Sequence, residues 1–450
     1  MSHPRLSASR LPAWLAADLP DGGVGIVHLG LGAFHRAHQA VLTQEAMRVE
    51  PGPWGICAVA QRNGRLVDAL VEQDHLFTVT ERGPEDDRLR VVGSVREALL
   101  APEQPDRVAA VLAEPGTRVV TVTVTESGYR HDPATGRLRV EDPDVAADLA
   151  GGPPRTPVGQ LVGGLRRRRL LGNPGLTVVS CDNLPDNGRL VARLTREFCA
   201  HRGEHDLVEW VDEHVRFPSS VVDQIVPATT AADVAHVAEA LGLEDRAAVV
   251  GEPHRRWVIE DDFAAGRPAW DAVGVDLVPD IAPHQAAKLR LVNGTHTALA
   301  HLGLLAGCTS TADALARPEF ARFAERLLRA ETGPSLRRFG LGPDEREIEG
   351  LLTRLANPRL GHRLDQIAAD ALRKVPQRLL DPAVDLLVAG IEPRLISLAV
   401  AGLLHQQDFP VLALPLPLRE SRVFRSLLAD AVRRIDQDGV VVTLRRIGRS

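Results

Sequence analysis

An α/β domain followed by a mostly α-helical one is predicted, on three observations. A short apolar strand, Val24–Leu29, runs through Gly30-Leu31-Gly32 into a helical stretch. Further β-branched runs, among them Arg118–Thr125 and Leu176–Ser180, alternate with helical patterns, the order that builds a parallel sheet. From Pro283 onward strand signals nearly vanish, and Leu/Ala stripes with charged faces take over. The expected boundary therefore divides residues 1–283 from residues 284–450.

Composition bounds the function classes. The 450 residues are 44% apolar and 25% charged, enough for more than one core. A net charge of −6 gives no general basic field for nucleic acid. The basic run Arg166–Arg169 reads as a solvated helix end. Four scattered cysteines, Cys57, Cys181, Cys199 and Cys308, form no zinc spacing and point to a reducing compartment. The first twenty residues lack the apolar core of a signal peptide, and no window reaches the roughly 18 apolar residues of a membrane helix. A soluble cytoplasmic protein is expected, without a metal, a membrane or a nucleic-acid partner. No dimer seam stands out, so a monomer or weak oligomer is expected.

In chain order, residues 1–22 read as a helix or arm. Val24–Leu29, the glycine turn and a helix from about Arg36 to Val49 form a strand–turn–helix of the kind that cradles a pyrophosphate. The third glycine position holds His35, so the fingerprint is truncated and a plain strand–turn–helix shares its local signature. Trp54–Ala60 is the second strand. It ends in Gln61-Arg62-Asn63 without the usual ribose-binding acid; Arg62 is either a partner for a 2′-phosphate or a surface arginine, which leaves NAD versus NADP open. His75–Arg82 and Leu89–Val92 read as a hairpin, Val95–Leu100 and Asp106–Ala113 as helices, and Arg118–Thr125 as a strand. Asp132–Val140 is an exposed turn or hairpin, and Thr156–Leu171 a helix. Leu176–Ser180 is a strand whose end, Cys181 to Gly188, is rich in Asp and Asn; Asp186 or Asn187 is a candidate cap for the helix Arg189–Ala200. Ser219–Val226 is a strand with Asp223 inside it, and a buried aspartate needs a partner or a role. Ala231–Leu241 is a helix, and Trp257–Glu260 and Val275–Val278 are strands. Helices are expected at 284–306, 311–330, 343–354, 363–373, 381–403 and 418–435.

The stretch Lys288–His301 carries the chemistry. On an α-helix Lys288, Asn293 and His296 project at about 0°, 140° and 80°, one broad face. A lysine, an amide and an imidazole there can serve as base, oxyanion donor and substrate positioner, or be three polar residues on a solvated side.

Seven stretches together resemble the polyol-specific long-chain dehydrogenase family, also called the mannitol dehydrogenase family. They are HLGLGAFHRAHQA (28–40), TVTVTESGY (121–129), SCDNLPDNG (180–188), VVDQIVPA (221–228), WVIEDDFAAGRPAW (257–270), KLRLVNGTH (288–296) and NPRLGHRLDQIAADALRKVPQR (357–378). The K-x4-N-x2-H pattern is the most specific of them. The resemblance implies an N-terminal Rossmann-type NAD(P)-binding domain. It also implies a helical substrate and catalytic domain like that of 6-phosphogluconate dehydrogenase. The activity implied is a metal-independent oxidoreductase interconverting a linear polyol or sugar acid with its ketose or keto-acid, of the mannitol/fructose or mannonate/fructuronate type. NAD is the implied cofactor, with NADP as the alternative. Lys288 is then the general acid/base. An ordinary lysine titrates at about 10.4, so that role requires burial or neighbouring positive charge. Asn183 and Asn293 are implied oxyanion donors, and His296 holds the neighbouring hydroxyl. Asp223 and Lys374 are implied substrate contacts, and Gly30, Gly32, Ala33, Phe34 and Arg36 the cofactor loop. A uronate substrate would want a further cation for its carboxylate, which Arg373 or Lys374 could supply, although such residues are also common on surfaces.

Three departures from the family pattern stand out: Gln285 where a glutamate is usual, Ala371-Leu372 where Gly-Ser is usual, and Ser127 where a lysine is common. Gln285 and Ala371-Leu372 motivate a rival reading, a catalytically quiet NAD(P)-binding sensor or scaffold on the same fold. A pure binder has no use for Lys288, Asn293, His296 and Asn183 together. A metal-dependent alcohol dehydrogenase would need a Cys/His ligand set that the sequence does not offer.

Overall fold

The computed structural model describes residues 3–16, 19–342, 344–406, 410 and 414–447. The chain forms two compact units, residues 1–82 with 86–281, and residues 83–85 with 282–450.

Among its described residues the first unit holds eleven strands. In chain order they are β1 (Val24–Leu29), β2 (Gly55–Ala60), β3 (Phe77–Arg82), β4 (Asp87–Val92), β5 (Val95–Leu100) and β6 (Val119–Val122). There follow β7 (Thr177–Ser180), β8 (Ser220–Asp223), β9 (Val249–Gly251), β10 (Arg256–Glu260) and β11 (Asp276–Val278). The main sheet has the order β5-β2-β1-β6-β7 and is parallel throughout. Its strands are apolar on both faces because helices cover both. Ile26, Ile56 and Ala58 pack into one core; Val27, Cys57 and Val59, one residue on, pack into the other. Chain order reverses between β1 and β6, the switch point at which ligands bind in such sheets. Two three-stranded sheets, β4-β3-β9 and β11-β10-β8, complete the unit. Leu6 and Leu11 of the N-terminal arm are buried in a small cluster with Leu243, and Leu6 N donates to Glu244 O.

Several expectations are corrected. Val95–Leu100 is a strand, not a helix: its helix-favouring Glu, Ala and Leu yield to parallel pairing with β2, Ala98 opposite Ala58. The helix after β1 begins at Ala33 and breaks at His38 (φ −114°, ψ −85°) before Gln39–Val49. β6 stops at Val122, and Thr125 turns out of it at φ +64°. β8 ends at Asp223 because the Glu252 carboxylate takes the N–H of Ile225. The helix His205–His214 and the strand β9 were not expected.

The second unit is helical around one core built from Leu291, Leu299, Phe320, Leu364, Leu380 and Leu398 among others. The expected helix 284–306 is a continuous stretch from Ala282 to Leu305, but its middle, Lys288–Asn293, is a π turn. The expected 311–330 splits at Pro318, and 363–373 splits at Asp370 (φ +58°). The expected 381–403 breaks around Gly390 (φ +73°) and Pro393. The last helix, Arg422–Ile447, outruns the expected 418–435 and is interrupted at Gly439. No helix among the described residues is long and apolar enough to cross a membrane.

Candidate active site

In the first unit the site is built at the β1/β6 switch point. Gly30 has φ +112°, and a Cβ there would lie 2.0 Å from the Thr123 carbonyl oxygen, so backbone alone fits. Gly32 caps the helix Ala33–Ala37 without a side chain, and a Cβ on it would meet only Gly30 O, at 3.6 Å. The space above Gly32 is therefore open beside half-buried Ala33 and Phe34. Such a cradle, with a helix start facing it, fits a pyrophosphate. Arg36 braces it from behind: its Nε donates to Gly32 O (3.2 Å) and its Nη1 to Ala247 O. Burial lowers the Arg36 pKa to about 10. His35, at the third glycine position, stacks on His28 with centroids 3.4 Å apart. His28 Nδ1 and Nε2 bond the Thr121 and Thr123 hydroxyls at 2.8 and 2.9 Å. Burial lowers the His28 pKa to about 3 and holds His35 well below the ordinary value, so the pair is neutral.

Beside this loop, Gln61 and Gln160 exchange two amide hydrogen bonds, Asn63 caps the helix Gly64–Glu72, and Arg62 is exposed. At the ends of β6 and β7 the Asp182 carboxylate accepts from Val124 N (2.9 Å), Thr125 N (3.0 Å) and Tyr129 Oη (2.7 Å). This holds the β-branched Thr125 at its unfavourable positive φ. Neither expected cap serves as one. Asp186 is left-handed (φ +46°) with no side-chain cap bond, and buried Asn187 instead bonds Asp182 O, Ser220 O and Ser220 N. Asn183 follows β7 in an exposed position, and Asp223 is half-buried with His254 Nε2 at 3.5 Å.

In the second unit Lys288 and Asn293 bracket the π turn. Bonding i→i+5 sets Asn293 one turn above Lys288, nearer in azimuth than the 140° of an α-helix. His296 follows in the α-helical Gly294–Leu305 and is buried. A second π turn, Pro376–Leu380, packs on the first: a Cβ on Gly294 would stand 2.9 Å from Arg378 O. His296 meets His362 edge-on, ring centroids 4.7 Å apart. The His362 carbonyl accepts from Thr311 N, which fixes its loop, and burial lowers its pKa, leaving a neutral imidazole. Arg373 is exposed on the short helix Ala371–Val375. Lys374 is half-buried, donates to Ala369 O at 2.6 Å, and has its pKa lowered by burial and then by Arg378.

Lys288, Asn293 and His296 thus share one helical stretch, and Gly30, Gly32, Ala33, Phe34 and Arg36 one loop and helix. Asp182, His28, His362 and Arg378 were not singled out from sequence. All four lie in the seven motif stretches or directly beside a candidate residue, but nothing local told which would turn inward. No group of three His, Cys, Asp or Glu side chains among the described residues could hold a metal.

Known proteins are similar to this chain over most of its length. Residues 24–272 match the mannitol dehydrogenase Rossmann domain, and residues 280–408 the mannitol dehydrogenase C-terminal domain. The chain is 41% identical over 401 residues to D-mannonate oxidoreductase of Escherichia coli, covering 87% of this chain and 81% of that one. It is 37% identical over 386 residues to mannitol 2-dehydrogenase of Pyrenophora tritici-repentis, covering 84% and 68%. The solved ternary complex of Pseudomonas fluorescens mannitol 2-dehydrogenase with NAD and D-mannitol superposes with a TM-score of 0.83 at 30% identity, covering 99% of this chain and 100% of that one.

Proposed function

The chain belongs to the mannitol dehydrogenase family, and on that premise we propose that it interconverts a linear polyol or sugar acid with its ketose or keto-acid, with NAD as cofactor and Lys288 as general acid/base. The observation that carries the reading is the π turn that sets Lys288 and Asn293 one above the other, with His296 on the next turn.

The Gly30–Phe34 cradle would hold the pyrophosphate, with Arg36 and the His28–His35 stack fixing its shape. Bound NAD supplies the acceptor for the hydride of the carbinol carbon. Lys288 takes the proton of the reacting hydroxyl in oxidation and returns it in reduction. Asn293 and Asn183 donate N–H bonds to that oxygen as charge develops on it; losing one such donor typically costs about 100-fold or more. His296 orients the adjacent hydroxyl. Asp223 and Lys374 are assigned to more distant hydroxyls, and Arg373 to a substrate terminus. Exposed Arg62 is the residue on which NAD versus NADP turns. Four free buried cysteines support a cytoplasmic setting. The domain assignment that accompanies this reading is 1–283 for the cofactor and 284–450 for substrate and catalysis.

The test is NADH and NADPH oxidation with fructuronate, fructose, tagaturonate and xylulose in parallel. Strong turnover of one ketose or keto-acid is expected, with NADH preferred. Cofactor binding without turnover of any of them would favour a quiet binder.

A further inference from the structure

We propose that Arg378 is the cation of a carboxylate subsite, so that this chain selects a sugar acid and its keto-acid over the neutral polyol pair. The inference rests on the oxidoreductase reading above and narrows its substrate class.

Arg378 lies on the second π turn, half-buried. Among the described residues its guanidinium makes one hydrogen bond, Nη1 to Thr297 Oγ1 at 3.1 Å. No carboxylate among the described residues pairs with it, and burial alone holds its pKa down at about 10. The neighbouring π turn shows the contrast: buried Arg290 has the Asp385 carboxylate at 2.7 Å and the Ser335 carbonyl at 2.8 Å. Half-burying a guanidinium without a counterion is unfavourable, and a ligand anion reverses that cost. Neither Nε nor Nη2 of Arg378 is sealed from solvent. The free side of the planar fork suits a carboxylate, which it can grip with two parallel N–H bonds.

Placement ties this cation to the reacting centre. Thr297 Oγ1 donates to Asn293 O at 2.8 Å, so Arg378, Thr297 and Asn293 form one chain of hydrogen bonds. Thr297 stands about one α-helical turn beyond Asn293, roughly 6 Å along the axis. The Arg378 carbonyl is packed on Gly294, the residue after Asn293. Lys374, one turn earlier, lowers the cost of a nearby anion further, since Arg378 and Lys374 feel each other's charge. A ketose whose carbonyl meets Asn293 and Lys288 would leave this cation unanswered. A keto-acid of the same length carries the group that answers it.

The experiment compares the wild type with Arg378→Gln and Arg378→Lys on fructuronate and on fructose, at saturating NADH. The wild type is expected to favour fructuronate. Arg378→Gln should lower kcat/KM for fructuronate on the order of 100-fold, chiefly through KM, with fructose changed only a few-fold. Arg378→Lys should recover part of the loss. Thermal melting checks that the Gln variant folds, and if it does not, the Lys variant carries the comparison. Equal losses on both substrates would overturn the proposal, because they mark a structural role. A loss in the KM for NADH would overturn it too, by assigning the cation to a cofactor phosphate. A wild type active on fructose and inert to fructuronate would sink the subsite while leaving the oxidoreductase reading intact; a wild type inert to every ketose and keto-acid would sink both.

Discussion

Asp182 accepts three hydrogen bonds at the mouth of the main sheet although burial raises its pKa. Those bonds fix the turn after β6, with Thr125 strained, at the sheet edge beside the Gly30–Phe34 loop proposed for the cofactor. Asp182→Ala would leave two backbone donors without their acceptor and the Tyr129 hydroxyl with Ser180 Oγ (2.7 Å) alone. A loss on the order of 3 kcal/mol in unfolding free energy is expected, with weaker NADH binding, read by urea denaturation and fluorescence titration. Sequence made the 182–187 polar run visible but suggested helix capping for it. Capping is a local habit of Asp and Asn, whereas the roles found for Asp182 and Asn187 are set by β6 and β8, far away in the chain. Lys288, Asn293 and His296 were legible because their spacing is short and falls within one helical stretch. Arg378 was not, because it reaches Thr297 across 81 residues of sequence.

At the scale of elements, three π turns recur among the described residues of the helical unit, Lys288–Asn293, Leu328–Thr332 and Pro376–Leu380, and the first packs against both of the others. No residue pattern announces a π turn, so helical periodicity found the stretch and misjudged the angle between Lys288 and Asn293. Strand β5 was misread for a related reason, since its pairing with β2 outweighs its own helix-favouring residues. The Leu328–Thr332 turn carries buried Glu331, whose carboxylate accepts from Leu395 N (2.7 Å) and Ile396 N (2.8 Å) at the start of the helix Arg394–Leu404. Burial raises its pKa from 4.5 to about 7, against the opposing pull of those N–H groups and of Arg326. The folded chain therefore holds this proton more tightly than the unfolded chain does. The resulting stability is fully present below pH 4.5 and is lost as pH rises through about 7, on the order of 3 kcal/mol. Urea midpoints should fall between about pH 5 and about pH 8 in the wild type, and Glu331→Gln should flatten that slope. A wild-type midpoint that does not change over this range would contradict the assignment.

Across the whole molecule, the first unit packs two cores on the two faces of one parallel sheet, and the second packs a single helical core. This contrast was legible from composition alone, because β-branched runs become rare after residue 283 while Leu/Ala periodicity continues. Breaks within the helical unit were less legible: Gly390, Pro393 and Asp370 interrupt apolar patterns that otherwise run on. The three departures Gln285, Ala371-Leu372 and Ser127 leave the Lys288–Asn293–His296 stretch itself intact. Everything in the proposed reaction depends on the amine of Lys288. The measurement that bears on it most directly is NADH oxidation by Lys288→Ala, with the ketose or keto-acid the wild type prefers, alongside NADH binding by fluorescence. Turnover should fall by about 1,000-fold or more with the NADH dissociation constant unchanged. Turnover within about tenfold of the wild type would show that proton transfer does not pass through Lys288.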